Sequence, residues 1–117
     1  MITIMPIEHE VLRLIAGELG LTAEGPVWGY IASDGLSMLG FVVVEKQEPV
    51  RVIGLRADDP SIADGLLRRA LHPLYEEGAQ GYTFACPVEM PLPMAYTRSG
   101  TGDLSALFRM PCHGAKS

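Results

Sequence analysis

The sequence has little that would place the protein in a membrane, outside the cell or on nucleic acid. No apolar run approaches the length of about 18 residues that a transmembrane helix needs. The apolar residues 1–5 lack the basic region and the cleavage site of a signal peptide. The net charge of -5 opposes nonspecific binding to nucleic acid or to an anionic membrane. We therefore expect a cytoplasmic protein without membrane or nucleic-acid partners.

Cysteines are also scarce. Only Cys86 and Cys112 occur, and each stands next to a proline. Both are expected to be inert core thiols, and a single disulfide between them is the alternative. A zinc site needs four ligands, whereas Cys112 and His113 supply only two neighbouring ones, so no metal is predicted.

The composition is that of an ordinary globular protein. Of the 117 residues, 48% are apolar and 20% are charged. This length predicts one domain, residues 1–117, which is large enough to build a core without disulfides or metals.

The N-terminal half predicts a helix followed by three strands. A short strand at residues 3–5 precedes a helix over residues 7–19, which Gly20 ends. Strands are then predicted at residues 27–31, 36–45 and 50–57. Because the connections between them are short, these three strands should form an antiparallel meander. The second strand contains a continuous β-branched and aromatic run, which predicts burial on both faces.

Residues 51–85 predict a strand, a helix and a second strand. The apolar residues of the helical part recur every three or four positions and form one broad face. Ser61 is the expected N-cap, and Gly78 is the expected terminator. A crossover helix of this length makes the two flanking strands parallel and the connection right-handed.

Pro73 interrupts this helical pattern. It removes one backbone hydrogen bond and costs about 3 kcal/mol in a helix interior. The helix is expected either to kink there or to end near Leu71 and restart at Pro73. His72 would cap the restarted helix in the second case, and facing a ligand cleft is its alternative role.

Residues 87–117 predict an irregular or hairpin C-terminal extension. Pro87, Pro91 and Pro93 favour a rigid, extended segment. The glycine-rich residues 99–103 predict a hairpin loop, and a short helix over residues 103–110 is the alternative. Arg98 beside these glycines also suggests a phosphate cradle, but the spacing of a P-loop is absent and the hairpin loop is preferred.

The methionines of this extension have two interpretations. Met90, Met94 and Met110 either pack into the core or form an exposed apolar edge with Leu92. Such an edge could pair with a second copy of the chain, so a homodimer is among the expected assemblies.

The order helix, three-strand meander, helix, strand resembles the GNAT superfamily of acyl-CoA-dependent N-acyltransferases. The resemblance covers residues 1–86. Its best local matches are Gly40-Phe41-Val42-Val43-Val44, Val52-Ile53-Gly54-Leu55, Leu66-Leu67 with Leu71, and Gly78-Ala79. It implies a mixed sheet of α/β (α+β) class that combines the antiparallel meander with one βαβ unit, two main helices and a truncated C-terminal part.

The resemblance also implies acetyl-CoA or another acyl-CoA as cofactor and a small molecule as the second ligand. In that family the pantetheine arm enters between the ends of the two parallel strands. A loop of the form Arg/Gln-x-x-Gly-x-Gly/Ala then presents backbone N–H groups at a helix N-terminus to the pyrophosphate. The cofactor-binding residues implied here are Leu55, Arg56, Ala57, Ser61, Ile62, Ala63 and Asp64.

The loop departs from the family pattern in charge and in backbone donors. Asp58 stands at the Arg/Gln position, Ser61 stands at the first glycine, and only Ala63 fits. Asp58 and Asp59 would oppose the phosphates with like charge. Pro60 also lacks an N–H that could donate to them.

The resemblance implies two catalytic candidates. Tyr96 is nearest to the family's general acid, and Glu45 is nearest to its general base; a solvated charge at a turn is the alternative interpretation of Glu45. Two functions follow. The chain is either an N-acyltransferase acting on a small amine, or a non-catalytic GNAT-like module that has lost acetyl-CoA binding and instead binds another partner or dimerises. A splayed opening between the parallel strands would favour the first.

Overall fold

The chain forms six strands and three helices within the residues that the computed structural model describes, namely 1–20, 26–86, 88, 92, 96 and 100–108. In chain order these are β1 (Ile2–Pro6), α1 (His9–Leu19), β2 (Val27–Asp34), β3 (Ser37–Glu45), β4 (Val50–Ala57), α2 (Pro60–Glu76), β5 (Gly81–Phe84), β6 (Thr101–Asp103) and α3 (Leu104–Phe108). The fold is α+β with two longer helices, α1 and α2, as the sequence predicts.

All six strands lie in one sheet, in the order in which they occur along the chain. β1 to β4 are antiparallel neighbours, as a meander requires. α2 then crosses over the sheet, so that β5 runs parallel to β4, and β6 returns antiparallel to β5. The predicted meander and the predicted βαβ unit are both confirmed.

Helices cover the two faces of this sheet. On one face α2 packs against alternate residues of β2, β3 and β4, among them Val42 and Val52. On the other face Leu12 of α1 packs against Phe41 and Val43. The second half of β3 is buried throughout because its side chains alternate between these two cores. The predicted burial of this run on both faces is confirmed.

The start of α2 differs from the prediction. Asp59, not Ser61, is the N-cap, because its Oδ1 accepts the N–H groups of Ser61 at 2.8 Å and of Ile62 at 3.0 Å. Pro60 occupies the first helical position, where a missing N–H has no consequence. The helix therefore begins earlier than a Ser61 cap would allow, and Ser61 lies inside the first turn.

α2 continues through Pro73 to its end at Glu76. The predicted break near Leu71 is therefore wrong, and so is the capping role of His72. The apolar face of the helix explains the continuity: Leu66, Leu67, Leu71 and Leu74 are all buried. Each buried leucine contributes about 1.5–3 kcal/mol, so together they outweigh the cost of about 3 kcal/mol for one proline.

The C-terminal residues follow the helical alternative rather than the hairpin. Residues after β6 form α3, whose Leu104 and Leu107 are buried in the core beside α2. The N–H of Leu104 donates to the carbonyl of Gln80 over 2.9 Å, which ties α3 to the start of β5. The prolines of the predicted extended segment, the three methionines of the predicted edge and Cys112 lie outside the described residues. Leu92 of that edge is half-buried against the core, and Cys86 carries a free thiol.

Candidate functional site

A bulge in β4 marks the end of its ladder with β5. On the β3 side, Val43 pairs with Gly54 and Val44 pairs with Val52, so Ile53 has no counterpart. On the β5 side the parallel pairing begins at Val50 and ends where Val52 meets Phe84. One more hydrogen bond follows, from the N–H of Ala85 to the carbonyl of Val52 over 2.8 Å. A bulge bends its strand and increases the local twist. This one lies where the pairing of β4 with β5 ends, which is where the two parallel strands would diverge.

Three predicted cofactor residues, Leu55, Arg56 and Ala57, lie on β4 beyond this point. They remain paired with β3, where Ala57 is opposite Gly40. A Cβ at Gly40 would lie 2.4 Å from the carbonyl oxygen of Arg56, so only glycine permits this close pairing. Arg56 is exposed and its Cζ lies 5.8 Å from the centroid of the Phe41 ring. This end of β4 therefore presents one cation to solvent.

The other predicted cofactor residues, Ser61, Ile62, Ala63 and Asp64, form the first turns of α2. The N–H groups of Ser61, Ile62 and Ala63 do not point at an empty anion site, because they donate hydrogen bonds to Asp59. Besides the two N–H groups bound by its carboxylate, the N–H of Ala63 donates to the Asp59 backbone oxygen over 3.1 Å. Hydrogen bonds from the Ser61 hydroxyl and then from the Ile62 N–H lower the pKa of Asp59 below its ordinary value. The helix N-terminus thus already holds a carboxylate anion.

Tyr96 lies against the second turn of α2. Its hydroxyl donates to Asp64 Oδ1 over 2.8 Å, and Arg68 Nε donates to the same oxygen over 3.0 Å. The Tyr96 side chain is buried, with 6% of the residue exposed. Burial, followed by the hydrogen bond and negative charge of Asp64, raises the pKa of Tyr96 above its ordinary range. The structure therefore brings together two predicted site residues, Tyr96 and Asp64.

Glu45 lies at the end of β3 that pairs with the start of β4, away from the predicted cofactor residues Leu55, Arg56 and Ala57. It pairs with Arg51 at the start of β4, whereas Ala57 stands six positions further along, a separation of about 20 Å in a strand. The alternative interpretation of Glu45 as a solvated charge is wrong, since the residue is 0% exposed. Arg51 Nη1 donates to Glu45 Oε1 over 2.7 Å, and Gln47 Nε2 donates to the same oxygen over 2.9 Å. Tyr96 belongs to the core between the sheet and α2, whereas Glu45 is on the side of β3 that carries Phe41 and Val43 and faces α1. The two catalytic candidates, Glu45 and Tyr96, are therefore on opposite faces of the sheet and not part of one constellation.

Known proteins add no assignment to this geometry. No protein-family model, curated protein or solved structure matches the chain. Within the described residues, no group of three or more His, Cys, Asp or Glu side chains is placed to hold a metal ion. No helix among them is long and apolar enough to cross a lipid bilayer. The function has to be argued from the contacts of this chain itself.

Sequence reasoning missed a groove on the outer side of α2. This arginine groove has a volume of about 650 Å³, and its lining includes Ile4, Tyr30, Arg68, Arg69, His72 and Phe108. The sequence assigns Arg68 and Arg69 to the polar side of the helix, which is usually only solvated. The available signal was the two arginines at positions 68 and 69 with the histidine at position 72, which stand on neighbouring positions of one helical surface.

Proposed function

We propose that the chain is a GNAT-like domain that serves as a non-catalytic binding module and does not hold acyl-CoA through the pyrophosphate loop of that superfamily. One observation carries the proposal. The N–H groups that would meet the pyrophosphate, those of Ser61 and Ile62, are bound by the carboxylate of Asp59. A pyrophosphate would have to displace this carboxylate, and it would meet the like charges of both Asp58 and Asp59 while doing so.

The catalytic candidates support the same proposal. The Tyr96 hydroxyl is buried and donates a hydrogen bond to Asp64, and its raised pKa makes Tyr96 a weaker acid. Glu45 is buried in an ion pair with Arg51 on the face of the sheet opposite to Tyr96. A general base has to reach the proton that it removes, within hydrogen-bond distance or through one water. Glu45 and Tyr96 do not meet this condition for one substrate.

A second candidate function, acyl transfer from acyl-CoA to a small amine, is favoured by β4. The bulge at Ile53 lies where the ladder with β5 ends, and β4 continues beyond it through Leu55 to Ala57. The backbone of a strand beyond such a point can bind an extended ligand through main-chain hydrogen bonds. A pantetheine arm would use that position even if the phosphates bound elsewhere.

The experiment that tests the proposal is thermal unfolding of the intact chain with and without millimolar acetyl-CoA. We expect no shift in the unfolding midpoint of the wild-type protein. A ligand present at 100 times its dissociation constant adds about 2.7 kcal/mol of stability, which raises the midpoint of a domain of this size by roughly 10 °C. A shift of that size in the wild type would overturn the proposal and favour the acyltransferase.

Asp59→Ser sharpens this measurement. Serine retains an N-cap but removes the negative charge. If the carboxylate is what excludes phosphates, acetyl-CoA should raise the unfolding midpoint of Asp59→Ser but not that of the wild type. Glu10→Gln on α1 makes the same change in net charge away from the N-terminus of α2, and acetyl-CoA should leave its unfolding midpoint unchanged, as in the wild type. Equal responses of the two variants would show that Asp59 has no special part in excluding the cofactor.

A further inference from the structure

The arginine groove concentrates positive charge on an acidic chain. The protein has a formal net charge of -5, yet the described residues that line the groove include Arg68, Arg69 and His72 and no carboxylate. The nearest carboxylates, Asp64 and Glu76, lie outside the lining and contact Arg68 and His72 at 3.0 and 3.8 Å, respectively. Arg69 makes no ion pair with any residue in the described part of the chain. Arg68 is thus paired with Asp64, and Arg69 supplies the charge of the groove that no carboxylate of the described residues neutralises.

Aromatic rings hold these cations in place. Arg69 Cζ lies 5.8 Å from the centroid of the Tyr30 ring, and Arg68 Cζ lies 6.0 Å from that of Phe108. Arg68 is fixed further by Nη1, which donates to the carbonyl oxygen of Leu107 over 2.7 Å. His72 meets Phe108 edge to face, with ring centroids 5.0 Å apart. Fixed guanidinium groups lose less side-chain entropy on binding than mobile ones.

The remaining walls of the groove are apolar and closely packed. A Cβ at Gly65 would lie 3.2 Å from Ile4 Cδ1, so the glycine lets α2 approach β1 and shapes the floor between them. Tyr30 and Phe108 add flat aromatic surfaces to the walls. Paired guanidinium groups bind phosphate or carboxylate oxygens in a bidentate manner, and aromatic walls accept a flat ring. The groove thus combines an anion site with an apolar one.

We infer that the arginine groove is a binding site for a small organic anion in which a phosphate or carboxylate group stands next to a flat ring. Arg69 and Arg68 bind the anionic group, and Tyr30, Phe108 and Ile4 contact the ring. The volume of about 650 Å³ lies within the range of pockets that hold such molecules. No bond is made or broken, so this is a recognition site rather than a catalytic one.

This inference does not depend on the acetyl-CoA question. Arg69 stands eight positions after Ser61 in α2, which is about 12 Å along the helix axis. The groove lies on the outer side of α2, whereas the predicted cofactor residues lie at its N-terminus and at the end of β4. Arg68 contacts Asp64 of the predicted cofactor set, so the two places are told apart by the signals of Arg69 and Tyr30 in the groove and those of Ser61 and Ile62 at the helix N-terminus.

NMR spectroscopy of the isotope-labelled intact chain observes them separately. Adenosine monophosphate serves as the probe, because it joins a phosphate to a flat ring. We expect it to shift the Nε–Hε signals of Arg68 and Arg69 and the amide signals around Tyr30, but not the amides of Ser61 and Ile62. Adenosine and inorganic phosphate, each lacking one half of the probe, should bind about tenfold more weakly. Benzoate in a parallel titration tells whether a carboxylate replaces the phosphate.

Arg69→Gln and Arg13→Gln form the matched pair of variants. Both residues are exposed, but Arg13 lies on α1, across the sheet from the groove. Arg69→Gln should weaken binding of adenosine monophosphate about tenfold, and Arg13→Gln should leave it unchanged. The inference is overturned if the arginine signals do not move at about 10 mM adenosine monophosphate, which is ten times the dissociation constant of a site of about millimolar affinity. It is equally overturned if both variants bind adenosine monophosphate with the same affinity, or if adenosine binds as tightly as adenosine monophosphate. Signal shifts that centre on the amide of Ser61 would also overturn it.

Discussion

Tyr96 and Asp64 join the connection between β5 and β6 to α2, since the Tyr96 hydroxyl donates to Asp64 Oδ1 over 2.8 Å. Tyr96→Phe should lower the free energy of unfolding by about 1 kcal/mol, because it removes this hydrogen bond but leaves Arg68 on the same carboxylate. Urea unfolding at pH 7 measures the difference. Tyr75→Phe, on the more exposed side of α2, is the control and should change little. An equal loss in the two variants would contradict a structural role for this hydrogen bond.

The same tyrosine predicts a loss of stability at alkaline pH. The pKa of Tyr96 is raised in the folded protein, so above about pH 10 the unfolded chain releases a proton that the folded chain keeps. The free energy of unfolding should therefore fall as the pH rises from about 9 to 12, and it should fall less steeply in Tyr96→Phe. Denaturant unfolding at several pH values gives both slopes. Identical slopes in wild type and variant would contradict the raised pKa.

The buried ion pair of Glu45 and Arg51 predicts a larger effect on the free energy of unfolding. Arg51→Met removes a donor from Glu45, whose carboxylate is 0% exposed. We expect the free energy of unfolding to fall by about 2 kcal/mol, because a buried charge is left with fewer partners while Gln47 remains. Arg13→Met removes an exposed arginine that has no such partner among the described residues, and it should stay within about 0.5 kcal/mol of the wild type. Urea titrations of the two variants provide the comparison, and the prediction fails if they unfold together.

Asp58 and Asp59 form a matched pair at the start of α2. Asp59→Ala should lower the urea midpoint, because it leaves the N–H groups of Ser61 and Ile62 without their acceptor. Asp58→Ala removes an exposed carboxylate with no capping contact in the described residues and should have little effect. The lowered pKa of Asp59 means that its contribution is present above about pH 4 and disappears as the pH falls further, so the two midpoints should converge in acid. A gap that persists at pH 2 would contradict this origin.

Glycines at two positions should respond oppositely to alanine. At Gly40 a Cβ would lie 2.4 Å from the Arg56 carbonyl oxygen and 2.8 Å from Ala57 Cα, both of them backbone atoms. Gly40→Ala should therefore destabilise the protein by about 2 kcal/mol, because the β3–β4 pairing has to shift. At Gly17 in α1 such a Cβ would meet no described atom within 4 Å apart from the adjoining backbone of its own helix, so Gly17→Ala should stabilise by up to about 1 kcal/mol through helix propensity. Thermal unfolding of both variants decides the point.

The strands and helices could be predicted because each depends on neighbouring residues. β4 follows from a short run of Val, Ile and Leu between charged and turn-forming residues, and α1 ends at Gly20, whose φ of 68° suits glycine. The N-cap of α2 was mispredicted because the local rule gave Ser61 more weight than the pair Asp59-Pro60. The path of α2 through Pro73 depends on burial against the sheet, which the helix sequence alone does not contain.

The contacts of the site depend on long-range register and were therefore out of reach. Glu45 is buried because β3 and β4 pair so that Arg51 lies opposite it. The arginine groove needs Tyr30 from β2 and Phe108 from α3 on either side of one helix. A sequence shows that Arg69 is on the polar side of α2, but it does not show which rings stand beside it.

The strand order of the sheet has a consequence for synthesis on the ribosome. Because the spatial order of the strands is the order of the chain, each strand pairs with the one made just before it. Every new strand therefore meets a finished edge as it emerges, and no early strand has to wait for a distant later one. β1 stays at one edge of the growing sheet, and the other edge moves from β2 to β6 as translation proceeds. The nascent protein can thus acquire its structure in the direction in which it is made, with little unpaired apolar chain at any stage.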